Sequence, residues 1–350
     1  MSLLVPALAL LLALLIDRWF GEPPVRLHPV VWMGNYLGWA GARLQRGLRG
    51  ATPVLLPAPI NAPRAELEEA ADYKDFWLGA LYWTGGIALF TVATVGLESM
   101  LWGGARWVAV AVPGGSAAAW LAAGVAAVLL ALLLKPMLAW TMLKSEVQAV
   151  EGALGASLQA GRERLSWLVS RDTTTLSEAQ VRESAIESLA ENLNDSVVAP
   201  IFWFVLLGLP GAVAYRFANT ADAMWGYKGV YKGQNWEWAG KWAARVDDGL
   251  NWLPARLTGL LLALICGLNL AALGGEAAKT PSPNSGWPMA AMALALHIRL
   301  GKPGVYVLNP TGREPVAADV DLSVSYASKV LLALMLLALI ALYLKAMVVG

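Results

Sequence analysis

The chain has 350 residues, of which 57% are hydrophobic and only 15% charged, with a formal net charge of +1. Soluble globular proteins carry about 25% charged residues, so the composition excludes a soluble enzyme and, with no basic excess, a nucleic-acid partner. Cys266 is the only cysteine and His28 and His297 the only histidines. Intrachain disulfides, cysteine metal clusters and a histidine zinc site are therefore excluded.

Long apolar runs mark candidate membrane spans at 3–16, 76–97, 117–134, 198–215, 257–273 and 330–344. The first lacks a basic leader and a small-residue cleavage site and reads as a retained helix. Trp77, Trp102, Trp107, Trp140 and Trp252 flank the runs as an interfacial belt. After the first run, Asp17 to Pro24 and His28-Pro29 form a proline-fixed turn whose Asp17 and His28 are candidate substrate contacts at the membrane face, with an interface turn whose charges sit in water as the plain alternative. The Pro- and Ala-rich stretch 49–65 reads as an irregular connector, and 279–288 as a second turn-rich loop. The run 198–215 is interrupted at Gly208-Leu209-Pro210-Gly211. The Lys and Arg distribution fits the positive-inside rule slightly better if this run does not cross. The charged segments on either side of it then share the cytoplasmic face.

The densest polar segment runs from Arg171 to Arg256. Glu183, Glu187, Glu191 and Asp195 recur every four residues with nothing basic between them. Residues at that spacing face one another on a helix and like charges repel. Each step drifts about 40°, so two or three of the four can share a site. A Mg2+ ion on Glu187, Glu191 and Asp195 is the simplest compensation, since Mg2+ takes one or two carboxylates plus substrate phosphates. A solvated helix face is the plain alternative. Further on stand Asn219, Thr220, Asp222 and Lys228, then Arg245, Asp247, Asp248, Asn251 and Arg256. Asp247 and Asp248 lie about one helical turn from Asn251. Paired acids near an amide and two arginines suit a phosphate-and-metal site, with a juxtamembrane anchor at Arg256 as the alternative. No Walker A, GxGxxG, GxSxG or HExxH pattern is present.

Several of these strings, in this order, resemble the adenosylcobinamide-phosphate synthase family of cobalamin biosynthesis. They are DRWFGEPP, HPVVWMG, RDTTTLSEAQVRESAIESLAENLNDSVVAPIFW, YRFANTADAMWGYK, ARVDDGLNWLPARLT and SPNSGWPMAAMA. The last 50 residues carry little of the likeness, and 227–242 exceeds the usual spacing.

The resemblance implies a membrane-embedded ligase. It would join a carboxyl of adenosylcobyric acid to the amine of (R)-1-aminopropan-2-ol phosphate or a related aminoalcohol, consuming ATP with Mg2+. Glu187, Glu191, Asp195, Asp222, Asp247 and Asp248 would then carry metal and catalysis. Asp17, His28, Arg171, Asn192, Asn219, Thr220, Lys228, Arg245, Asn251 and Arg256 would contact substrates.

The expected fold is an all-α, multi-pass protein of the cell membrane, with about five or six hydrophobic helices and polar, helical, motif-bearing loops. It would form one domain over 1–350, with the active site in the charged loops of 135–256 on the cytoplasmic side. Lipid and the two substrates are the expected partners; a second copy or other enzymes of the pathway stay open. A polar-metabolite transporter is the rival reading. Against it, ionisable residues are absent from the runs 76–97, 117–134, 257–273 and 330–344.

Overall fold

The computed structural model describes residues 4–49, 72–111 and 116–349. Most of the connector expected at 49–65 lies outside the described residues. Twelve α-helices and two short antiparallel hairpins appear among the described residues. The first four helices are α1 (Val5–Phe20), α2 (Pro29–Arg49), α3 (Tyr73–Ala111) and α4 (Ser116–Leu134). They are followed by α5 (Trp140–Ala156), α6 (Leu158–Leu165), α7 (Glu178–Leu193) and α8 (Ala199–Trp225). A hairpin, β1 (Val230–Tyr231) and β2 (Gln234–Asn235), leads to α9 (Lys241–Cys266), α10 (Leu270–Ala277) and α11 (Gly286–Leu296). The second hairpin, β3 (Leu300–Lys302) and β4 (Tyr306–Leu308), precedes α12 (Ala317–Val349). The protein is thus all-α and polytopic, as its hydropathy requires. Five helical stretches are long and apolar enough to cross a membrane. At 16 residues, α1 is shorter than these.

The two helices flanking the charged stretch 226–240 are longer than the apolar runs suggest. α8 continues to Trp225, and α9 begins at Lys241, well before the apolar run at 257. That run does not persist to 273. Gly267, at φ 67°, ends α9 in the left-handed conformation that glycine adopts without penalty. Asn269 then caps α10 by accepting from the Ala271 and Ala272 amides. Most of the acids expected in loops therefore sit on helices continuous with apolar spans.

The stretch Glu178–Trp225 passes as one spanning helix by length and composition, but it doubles back. Gly208 has φ 71° and ψ −161°, a conformation open essentially to glycine alone. The two arms of α8 then lie side by side. Arg216 Nη1 donates to Ser196 Oγ at 3.0 Å, and Asn219 Nδ2 donates to Asp195 Oδ2 at 3.2 Å. A Cβ on Gly211 would come within 2.5 Å of the Trp203 carbonyl oxygen, so glycine permits the arms to meet. Both broken helix ends at the tip are satisfied. Lys345 of α12 donates to the Leu206 carbonyl at 2.8 Å, and Glu98 of α3 accepts from the Leu209 amide. The ends of the 198–215 run thus return to one side of the protein.

Candidate active site

A capping box starts α7. Ser177 Oγ accepts from the Gln180 amide, and Gln180 Oε1 accepts from the Ser177 amide. The helix then gives way to a π-helical turn at Asn194–Val198. This turn shifts Asp195 off the four-residue stripe, so the four acids do not act as one row. Glu183 is buried against the backbone of β3 at Gly301. Glu187 is 3% exposed and already has two partners: Arg171 Nη2 lies 2.6 Å from its Oε2, and the Tyr306 hydroxyl donates to its Oε1 at 3.0 Å. The stripe is therefore compensated at Glu187, by an arginine outside the helix. Burial, reinforced by the Glu187 carboxylate, holds the Tyr306 hydroxyl well above the usual tyrosine range, so it remains a donor.

Glu191 and Asp195 open instead into a cavity of about 320 Å³. Asp222 from α8 and Asp247 and Asp248 from α9 line it with them, and among the described residues Lys228 is the only cation in its wall. Asn194 and Asn251 form its floor. Asn251 Oδ1 accepts from Asn194 Nδ2 at 2.8 Å and from the Tyr215 hydroxyl at 2.9 Å. Its Nδ2 donates to Asp247 Oδ2 at 3.0 Å. Thr258 closes the network by donating to Asn194 Oδ1. The other carboxylate oxygen of Asp247 is buried with no hydrogen-bond partner among the described residues.

A second cavity of about 170 Å³ adjoins the first and shares Glu191 with it. Arg171, Glu187, Asn192, Lys302 and Tyr306 help to line it. Glu191 is surrounded by protein yet counts as exposed, because it faces into both cavities.

Other candidate residues lie elsewhere. Arg245 is exposed and sits over the Phe76 ring at 6.0 Å. Two residues along a helix is about 200° around it, so Arg245 points away while Asp247 points in. Arg256 is held between Trp252 and Trp287 and reaches Asn284 Oδ1 at 3.3 Å. It supports the wall from behind and lines neither cavity. Thr220 bonds back to the Arg216 carbonyl of its own helix, and Asn219 steadies Asp195. Asp17 and His28 belong to a separate cluster. Lys135 lies 3.3 Å from Asp17 and 2.7 Å from Glu22, and His28 meets Glu22 at 3.1 Å. Asp17 also accepts from the Thr141 amide. This cluster locks the Pro23-Pro24 turn onto the start of α5.

Metal ligation by Glu187, Glu191 and Asp195 together is not supported. Among the described residues, no three His, Cys, Asp or Glu side chains stand close enough to hold one ion, and Glu187 is already paired with Arg171.

Several wall residues escaped the sequence reading. Ser282, Asn284 and Ser285 line the larger cavity from the turn before α11. Asn284 Nδ2 donates to the Asp248 carbonyl at 2.8 Å. Lys302 and Tyr306 come from the β3–β4 hairpin. The site thus extends past residue 256. The polar turn at 279–288 was a signal for the first group; a lone lysine and tyrosine gave none for the second.

A helical bundle whose polar cavity is walled by carboxylates from its own long apolar helices is the architecture of a polytopic membrane protein with a polar site built into its helices. The chain belongs to the CobD/Cbib protein family, whose model matches residues 10–337. It is 38% identical to the "Probable cobalamin biosynthesis protein CobD" of Methanothermobacter thermautotrophicus, over 85% of each chain. It is 40% identical to the cobalamin biosynthesis protein CobD of Chromobacterium violaceum, over 84% of this chain and 81% of that one. With the corresponding Brucella suis protein it shares 35% identity over 91% of each. No solved structure matches it. The family places the chain among the biosynthetic enzymes of the cobalamin pathway.

Proposed function

We propose that the protein forms an amide bond between adenosylcobyric acid and (R)-1-aminopropan-2-ol phosphate, or a related aminoalcohol phosphate, driven by ATP with Mg2+. The observation that carries this reading is the cavity wall of Glu191, Asp195, Asp222, Asp247 and Asp248, with Lys228 its only cation among the described residues. Such a wall calls for a multivalent cation, and polyphosphate accompanies Mg2+.

The residues present fit that ion. The unpartnered oxygen of Asp247 is a ready oxygen donor beside Asp222. One or two carboxylates suffice when phosphates and water complete the shell. Asp222 and Asp247 would hold Mg2+, which supplies charge neutralisation on the phosphates when bound.

A carboxylate is a poor acyl donor at neutral pH. Phosphoryl transfer from ATP to the corrinoid carboxylate gives an acyl phosphate. The amine, having given up a proton, then attacks the acyl carbon; the C–N bond forms, inorganic phosphate leaves with the C–O electron pair, and the amide nitrogen's surplus proton passes to that phosphate or to solvent. Asn251 orients Asp247, Asn219 steadies Asp195, and Lys228 offers its charge to phosphate. The protein lies in the cell membrane with this cavity facing the cytoplasm, where ATP is available.

Purified protein given adenosylcobyric acid, aminopropanol phosphate and MgATP should yield adenosylcobinamide phosphate by mass spectrometry. Absence of product, or product formed equally well without ATP, would overturn the reading.

A further inference from the structure

The smaller cavity has its own chemistry. At about 170 Å³ it falls below the roughly 300–1,000 Å³ of sites for drug-sized ligands, too small for a nucleotide or a corrinoid. Its lining carries charge of both signs. Arg171 and Lys302 line this cavity and not the larger one, whereas Glu191 stands in the wall shared by both. The basic groups therefore belong to the small cavity alone, and a carboxylate marks its junction with the acid-walled cavity.

The three side chains differ in what they have left to offer. Arg171 uses one guanidinium nitrogen on Glu187, and the remaining N–H groups of its five-donor fork are available. The second Glu187 oxygen accepts from Tyr306, so the carboxylate that anchors the arginine is itself held from both sides. Lys302 is exposed and has no carboxylate partner among the described residues. Glu191 likewise has neither an ion pair nor a hydrogen bond among the described residues. An ionised carboxylate surrounded by protein is unfavourable unless a cation meets it. Lys302 acts on Glu191 only through its charge across the cavity, with no direct ion pair between them, so a ligand carrying both signs can be met at each end.

We propose that this cavity binds a small zwitterion, a primary ammonium joined by a short linker to a phosphate. The phosphate sits on Lys302 and the free N–H groups of Arg171, and the ammonium sits at Glu191, facing the larger cavity. The assignment rests on the ligase reading for the ligand's identity, the aminoalcohol phosphate. It places that substrate's amine at the junction where the acyl group must arrive. Lys302 and Glu191 are then specificity residues for opposite ends of one molecule.

Isothermal titration of the full-length protein in detergent tests this with three probes: 1-aminopropan-2-ol phosphate, 1-aminopropan-2-ol and isopropyl phosphate. Wild type should bind the first at least about tenfold more tightly than either fragment, as expected for losing one charge-assisted contact. Lys302→Ala should weaken both phosphate-bearing probes about tenfold and leave the bare amine unchanged. Glu191→Gln should weaken both amine-bearing probes by a similar factor and leave isopropyl phosphate unchanged or tighter. Melting temperatures should stay near wild type, since neither side chain holds a partner.

Equal effects of either substitution on all three probes, or none, would overturn the assignment. Turnover of the wild type is measured separately. Turnover without the crossed pattern removes this inference and leaves the ligase reading standing. The crossed pattern without turnover removes the ligase reading and leaves a phosphoamine site.

Discussion

Asn194 and Asn251, 57 residues apart in the chain, are joined side chain to side chain at 2.8 Å with both residues buried. The bond ties the π-helical turn after α7 to the middle of α9. It orients Asn251 so that its amide faces Asp247.

Asn251→Leu should therefore remove more than one contact. It leaves the Asn194 amide and the Tyr215 hydroxyl without their acceptor and frees Asp247. We expect a loss of about 1–3 kcal/mol for the buried groups left unsatisfied, read by denaturant unfolding in detergent. A variant as stable as wild type would show that the network contributes nothing net.

Asp247→Asn keeps the shape of the side chain and removes its charge. The protein should fold normally, because burying a neutral amide is easier than burying a carboxylate. Amide formation should fall roughly 100-fold or more, with a higher Mg2+ concentration needed for half-maximal rate. An unchanged Mg2+ dependence would move the metal to other acids.

Glu187→Gln is expected to act through stability and not through metal. It leaves Arg171 without its carboxylate partner and weakens the acceptor for Tyr306. Because Arg171 is partly open to solvent, the loss should be about 1–3 kcal/mol. Thermal unfolding checks this, and the half-maximal Mg2+ concentration should stay at the wild-type value.

Topology is tested by cysteine labelling. With Cys266→Ala as background, single cysteines at Ser177 and Gln234 should react with an impermeant maleimide from the same face of the membrane. Labelling from opposite faces would contradict a hairpin that returns to its starting side. Gly208→Ala should destabilise the protein by about 1–3 kcal/mol through backbone strain; its Cβ would also lie 3.0 Å from Glu98.

Hydropathy alone revealed the membrane class and most of the spans, because burial in lipid demands long uninterrupted apolar runs. The Gly208-Leu209-Pro210-Gly211 string showed where α8 breaks, since that conformation needs glycine. Asp222, Asp247 and Asp248, which line the larger cavity, stood out in the sequence because paired acids and amides at helical spacing are conspicuous in an apolar chain. Arg245 was misplaced because a charge beside two acids says nothing of its side of the helix. Glu187 was misread because its partner, Arg171, comes from the preceding loop, and helix periodicity is blind to it. Tyr306 and Lys302 reach the site only through a hairpin that packs on α7, a tertiary contact with no local signature.

The hairpin at Gly208 also constrains how the chain can change in length. Its arms are fastened at the tip by Lys345 and Glu98 and at the base by Arg216 on Ser196 and Asn219 on Asp195. A single residue inserted in one arm would turn its base by about 100° and shift it about 1.5 Å, parting Asp195 from Asn219. Viable insertions and deletions should therefore come in matched pairs, one per arm, so that the two arms keep their register.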